Sequence, residues 1–173
     1  MADATAPEHA VSRRNFLQLL TAAGTAVAAG ATLWPLLDAL NPDAAEQAAA
    51  HPLVSVAALA AGSVMSVTWN GEPVLIRRLT PQQMANAQAV VPDTLADSAN
   101  FTSRVKPGYE SYVVVVGLNT ATPCELDQTD TGWTCPCDGS AYDVLGRVTQ
   151  GPASRNLVIP RFTFVTAAQI RLG

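Results

Sequence analysis

Histidine is nearly absent from this 173-residue chain, which carries only His9 and His51. Cysteine is almost as scarce, with three residues, Cys124, Cys135 and Cys137. Three cysteines exclude a four-cysteine metal cluster. With no histidine after position 51, the region from 52 to 173 holds no Ser, His, Asp catalytic set. Charge is sparse too: charged residues make up 14% of the chain, the net charge is −4, and no basic stretch occurs, which argues against nucleic acid as a partner. There is no phosphate-cradling glycine loop. Glu125, Asp127 and Asp130 form an acidic loop without calcium-loop spacing and read as solvated surface. No internal repeat or low-complexity block is present.

What the chain does have begins at its amino end. Ser12-Arg13-Arg14-Asn15-Phe16-Leu17 fits a twin-arginine export signal, and Phe16 to Leu37 then runs without a charged residue. At about 1.5 Å per residue that run reaches roughly 33 Å, enough for a bilayer core of about 30 Å. Arg13 and Arg14 on the amino side place residues 1–15 in the cytoplasm and everything after about residue 40 outside it. Residues 16–40 are expected to form a retained single-pass anchor. The alternative is a cleaved signal ending at Ala31, after Ala29-Gly30-Ala31. Leu33, Trp34, Leu36 and Leu37 continue the apolar run past that point and favour retention. Residues 41–51 read as a polar, Ala-rich linker.

Residues 52–173 suffice for one small domain, and their patterning is mostly β. Val64 to Trp69 alternates, Asn70-Gly71 is a two-residue hairpin signal, and Pro73 to Arg78 supplies the returning strand. Thr80-Pro81-Gln82-Gln83 offers an N-cap, a proline at the first helical position and a Gln three residues on, predicting a short helix to about Ala89. Ser111 to Val116 reads as a buried strand. Val144 to Thr149 and Leu157 to Val165 complete the expected strands, with Pro160 implying an edge or a bulge.

Chemistry concentrates in Cys135-Pro136-Cys137-Asp138-Gly139-Ser140-Ala141-Tyr142-Asp143. This stretch resembles the second cluster box of the Rieske iron-sulfur family, usually C-P-C-H-G-S-x-Y-D, with Asp138 where a histidine ligand is expected. The family's first box, C-T-H-L-G-C, aligns with Asn119, Thr120, Ala121, Thr122, Pro123 and Cys124. In a Rieske centre two Cys thiolates hold one iron of a 2Fe-2S cluster and two imidazoles hold the other. By this resemblance the ligand positions are Asn119, Ala121, Cys135 and Asp138, and only Cys135 keeps its ligand chemistry. The resemblance also implies a disulfide between Cys124 and Cys137, worth about 3 kcal/mol in the chain-entropy model. Ser140 and Tyr142 match the hydroxyls that face the cluster in family members. Gly151 to Leu157 resembles the family's proline loop, with Ser154 in place of its second proline. Gly71 to Thr80 and Asp93 to Asp97 resemble its upstream strand and loop.

The expected fold is therefore mainly β: one N-terminal transmembrane helix and an antiparallel Rieske-like domain over 52–173, with a cluster-box subdomain at about 117–155. The resemblance implies the inner membrane, a periplasmic C-terminal domain, and cytochrome b and cytochrome c1 of a ubiquinol-cytochrome c reductase as partners. With three ligand positions changed, no cofactor is expected and no metal site. The expected role is a structural, regulatory or decoy subunit, not redox-active on its own, within what is otherwise an oxidoreductase complex. The alternative is a membrane-anchored periplasmic thiol-redox or binding protein acting through Cys135 or through an empty cluster pocket. Cys135 itself reads either as a relic or as a thiol able to exchange with the neighbouring disulfide.

Overall fold

The computed structural model describes residues 50–173. Among them no helix is long and apolar enough to cross a membrane. The expected segments 1–15 and 16–40, and all of the 41–51 linker except Ala50 and His51, lie outside the described residues.

Among the described residues ten strands form three antiparallel sheets: β1 (Leu53–Ser55), β10 (Gln169–Leu172) and β9 (Phe162–Thr166); β2 (Val64–Trp69), β3 (Glu72–Arg78) and β4 (Tyr112–Val116); and β5 (Asp127–Thr129), β6 (Gly132–Thr134), β7 (Ala141–Asp143) and β8 (Val148–Gln150). The middle sheet starts from the hairpin legible in sequence. Asn70 at φ 52° and Gly71 at φ 80° supply the paired positive φ values of a tight turn, and Trp69 pairs with Glu72 across it.

Successive side chains of a strand point to opposite faces, and β3 and β4 are apolar on both. Leu75, Val113 and Val115 pack with Trp133, Tyr142, Leu145 and Leu157 on one side. Val74, Ile76 and Val114 pack with Val54, Phe162, Ile170 and Leu172 on the other. The middle sheet is thus covered on both faces, and that burial explains the continuous apolar run in β4.

The helix α1 (Pro81–Ala89) opens as expected, with the Gln83 N–H donating to Thr80 Oγ1 at 3.1 Å and the Thr80 N–H donating to Gln83 Oε1 at 3.0 Å. Gln83 also donates to the Asp130 carbonyl at 2.9 Å, tying the helix to the β5–β6 turn. A second, four-residue helix, α2 (Phe101–Arg104), follows a short 3-10 turn at Pro92–Thr94.

Two expected strands are corrected. Val144 to Thr149 is no single strand: Val144 and Leu145 turn, and β8 begins only at Val148. The Asp143 carboxylate accepts the N–H groups of Leu145 and Arg147, both at 2.9 Å, and Gly146 at φ 75° completes the reversal. Leu157 to Val165 is strand only from Phe162 onward. Around Pro160 the backbone leaves the ladder, and Val158 keeps a single tie to the middle sheet through the Val116 N–H at 2.8 Å.

Arg77 and Arg147 fix the box-bearing sheet to the rest. Arg77, fully buried in β3, donates to the carbonyls of Thr129 and Gly132 and lies 4.6 Å from the centre of the Trp133 ring. Burial pulls its pKa down, opposed by the nearby Asp130 charge. Arg147, also fully buried, pairs with Asp143 and donates to the carbonyls of Ala87 and Ala99.

Candidate functional site

Two loops emerge side by side, one after β4 and one between β6 and β7. The first leaves β4 through Gly117, where a Cβ would meet Leu75 Cγ at 2.8 Å. It closes on itself when the Asn119 N–H donates to the Cys124 carbonyl at 2.9 Å. The second is a tight reversal: the Cys135 N–H donates to the Ser140 carbonyl at 2.7 Å, and the Gly139 N–H returns to the Cys135 carbonyl at 2.9 Å. Gly139 takes φ 75°, which a side chain disfavours.

The Cys124–Cys137 disulfide joins the loops, with a Cα–Cα distance of 6.5 Å. Cys135 remains a free thiol, only 1% exposed. The Sγ atoms of all three cysteines lie within 4.8 Å of one another.

A second connection runs beside the disulfide and was not foreseen. Asn119, buried, donates from Nδ2 to Asp138 Oδ2 at 2.6 Å. A carboxylate can only accept here, so the amide nitrogen must face it and the amide oxygen must face away. That oxygen accepts from the Tyr142 hydroxyl at 2.6 Å. The Thr120 N–H donates to the same Tyr142 oxygen at 3.2 Å, while Thr120 Oγ1 donates to the Arg155 carbonyl at 2.8 Å. The chain of contacts thus runs from the second box through the first to the segment after β8. The resemblance had placed Asn119, Asp138 and Tyr142 around one centre, but nothing in the sequence named these hydrogen bonds.

The remaining expected residues fall around this connection. Ala121 is exposed, and its N–H is 3.5 Å from Asn119 Oδ1. Ser140 is fully buried, and its Oγ accepts the Ala153 N–H at 3.1 Å, holding the segment that resembles the proline loop. At Gly151, φ 98°, that segment passes so near Ser140 that a Cβ would sit 2.5 Å from its Cα. Asn156 accepts from the Val148 N–H and is held in turn by Asp97, the last residue of the upstream loop named above. An open groove of about 480 Å³ borders the first box, with Asn119, Ala121 and Arg155 among its walls. His51 lies beside Gly173, the residue after β10, and outside both boxes. His9 lies outside the described residues.

Asp138 is held in its charged form. The Ser140 backbone N–H, 2.8 Å from its Oδ1, lowers its carboxyl below the usual range; burial opposes this, and the side chains of Ser140, Cys135 and Asn119 reinforce it. Because the folded value lies below the unfolded one, the stability Asp138 contributes is complete above the ordinary carboxylate range. It is lost as pH falls through the lowered value. Asp138→Asn should therefore flatten the acid side of the stability profile, read as urea midpoints from neutral pH downward. Parallel profiles for the two proteins would show that Asp138 contributes nothing.

Comparison with known proteins agrees with this geometry. Residues 4–43 match the family model described as ubiquitinol-cytochrome C reductase Fe-S subunit TAT signal. A ubiquinol-cytochrome c reductase iron-sulfur subunit of Rickettsia felis is 40% identical, over 94% of this chain and 93% of that protein. The subunit of the same description from Bradyrhizobium diazoefficiens is 38% identical over the whole length of both. Among solved structures, a chain of a hyperthermophilic respiratory Complex III shares the fold, with a TM-score of 0.62 at 20% identity, covering 88% of this chain and 98% of that one. With the two boxes facing each other under one disulfide and similarity extending along the full chain, this protein belongs to the family of ubiquinol-cytochrome c reductase Rieske iron-sulfur subunits.

Proposed function

We propose that this chain takes the position of the Rieske subunit in a ubiquinol-cytochrome c reductase but carries no 2Fe-2S cluster and transfers no electrons there. In this reading residues 16–40 anchor it in the inner membrane, residues 41–51 form the linker, and the β domain stands in the periplasm against cytochrome b and cytochrome c1. Its contribution is structural or regulatory.

The hydrogen bond of 2.6 Å between Asn119 and Asp138 carries the reading. By alignment with the Rieske boxes, these residues occupy ligand positions to the two different irons. Here they satisfy each other, and the amide's other end is taken by Tyr142. The donor set also does not fit the cluster. An amide at 119 is no thiolate, Ala121 offers no donor atom, and Cys135 is the sole free thiol. Thiolate and imidazole are what a Rieske centre requires, and neither histidine belongs to a box. A polar pair of this kind also supplies what bound metal otherwise gives such loops, a tie between them.

Iron and acid-labile sulfide analysis of the purified full-length chain, with low-temperature electron paramagnetic resonance, tests the absence of the cluster. The expected result is iron far below one equivalent and no Rieske signal. Stoichiometric iron with that signal would overturn the reading. Placement is tested separately: the chain should copurify with cytochrome b from detergent-solubilised membranes, and a chain that always purifies alone has left the complex.

A further inference from the structure

Three sulfurs lie together here: two tie the loops as a disulfide, and the third, the free thiol of Cys135, has no partner in the cluster-free reading. We propose that Cys124, Cys135 and Cys137 together form a redox-gated site for a thiophilic closed-shell cation, closed while the Cys124–Cys137 disulfide stands and opened by its reduction. The inference rests on the cluster-free reading, since a cluster would claim Cys135.

Geometry supports a metal once the disulfide is reduced. Tetrahedral zinc holds thiolate sulfurs at about 2.3 Å, which places them about 3.8 Å from one another. The three Sγ atoms already lie within 4.8 Å of one another, so short side-chain rotations bring them to that spacing once the bond is broken. The backbone spacing of Cys124 and Cys137, 6.5 Å between Cα atoms, need not change for those rotations. Cys135 forms the buried floor of the group, whereas Cys137 is exposed and Cys124 half-buried, so an ion enters from the Cys137 side and water completes its coordination. Thiolates select zinc and monovalent copper over the hard divalent ions.

The gating step balances. A dithiol reductant delivers two electrons and two protons to the Cys124–Cys137 bond and becomes a disulfide itself, leaving thiols at 124 and 137 beside the thiol of Cys135. Binding of Zn²⁺ then converts the three thiols to thiolates and releases their protons to solvent. In the reverse direction a disulfide oxidant takes two electrons from the thiolates of Cys124 and Cys137 and two protons from solvent, becoming a dithiol; the Cys124–Cys137 bond re-forms, Cys135 regains its proton and the metal is released.

The test uses the full-length chain in detergent, with Zn²⁺ as the probe. After reduction by a dithiol and removal of the reductant under anaerobic conditions, the chain should take one zinc. It should release protons on doing so and gain thermal stability, while the oxidised chain takes none and its Tm does not move. Co²⁺ in place of Zn²⁺ should give thiolate charge-transfer absorption in the reduced chain alone. Cys135→Ser keeps the disulfide partners yet should lower zinc affinity at least tenfold in the reduced state. Tryptophan fluorescence, to which the buried Trp133 contributes beside Trp34 and Trp69, reports whether the reduced chain stays folded; zinc taken up only by a chain with unfolded-type emission counts against the site. Equal zinc binding by the oxidised chain, or unchanged affinity in Cys135→Ser, overturns the proposal. A positive iron analysis would defeat the cluster-free reading, whereas a chain that holds no iron and, once reduced and folded, takes up no zinc defeats this inference alone.

Discussion

Asp143→Ala is expected to cost about 3–5 kcal/mol of stability, the usual consequence of stripping one partner from a buried ion pair. Arg147 is fully buried, and its guanidinium lies 2.6 Å from the Asp143 carboxylate. The carboxylate does more than neutralise it. Asp143 Oδ1 also accepts the N–H groups of Leu145 and Arg147, so the substitution opens the turn between β7 and β8 and leaves a cation without a counter-charge. The carbonyls of Ala87 and Ala99 still accept from Arg147, but they are neutral. Urea denaturation followed by tryptophan fluorescence measures the loss. A companion variant, Asp143→Ala with Arg147→Met, should be less destabilised than Asp143→Ala alone, because the buried charge leaves with its partner. If the double variant is the worse of the two, the cost comes from the turn and not from the stranded arginine. Asp143 closes the second box, so the stability of the box rests on a contact unrelated to iron.

Removing the disulfide is the second large effect. Cys124→Ser with Cys137→Ser is expected to lower stability by about 3 kcal/mol, the loop-entropy figure for a short closed loop. For a domain of this size that corresponds to a fall in Tm of about 10 °C, measured by circular dichroism. The double variant is needed because Cys135 lies within reach of both partners. A single substitution would leave a thiol free to pair with it and mask the effect. The hydrogen bonds from Asn119 to Asp138 and from Tyr142 to Asn119 persist when the sulfurs are gone, so the loops should stay docked. A loss much above 5 kcal/mol would mean that these contacts depend on the disulfide for their geometry.

How far the sequence could be read depended on the range of the interactions involved. Asn70-Gly71, the Thr80 to Gln83 capping box and the apolar run of β4 are decided by neighbours within a few residues, and all three stand in the structure with small shifts at their ends. Val144 to Thr149 failed as a strand because its fate was set by the side chain of Asp143 next to it, a turn signal masked by apolar Val144 and Leu145. Leu157 to Val165 failed because its first half packs as irregular chain against the middle sheet. The pairing of Cys124 with Cys137 was legible only through resemblance to the Rieske boxes. Resemblance put Asn119 and Asp138 at ligand positions of one centre, but the hydrogen bond between them was not legible. It spans two loops whose facing arrangement is a product of the three sheets, and neither residue carries a local pattern that names its partner.

The order of the first sheet bears on how the chain is made. β1, the strand nearest the linker, pairs only with β10 among the described residues, and Leu53 meets Arg171. More than about 100 residues separate them, and at a synthesis rate of about 5–20 residues per second β1 waits roughly 6–24 s for its partner to be translated. The core that Val54 and Val56 enter with Val74, Ile76 and Val114 is completed only then, by Ile170 and Leu172. A nascent chain of this protein therefore presents an unpaired, apolar strand next to its export signal for most of its translation, and a cellular factor that shields that strand has the whole of that interval in which to act.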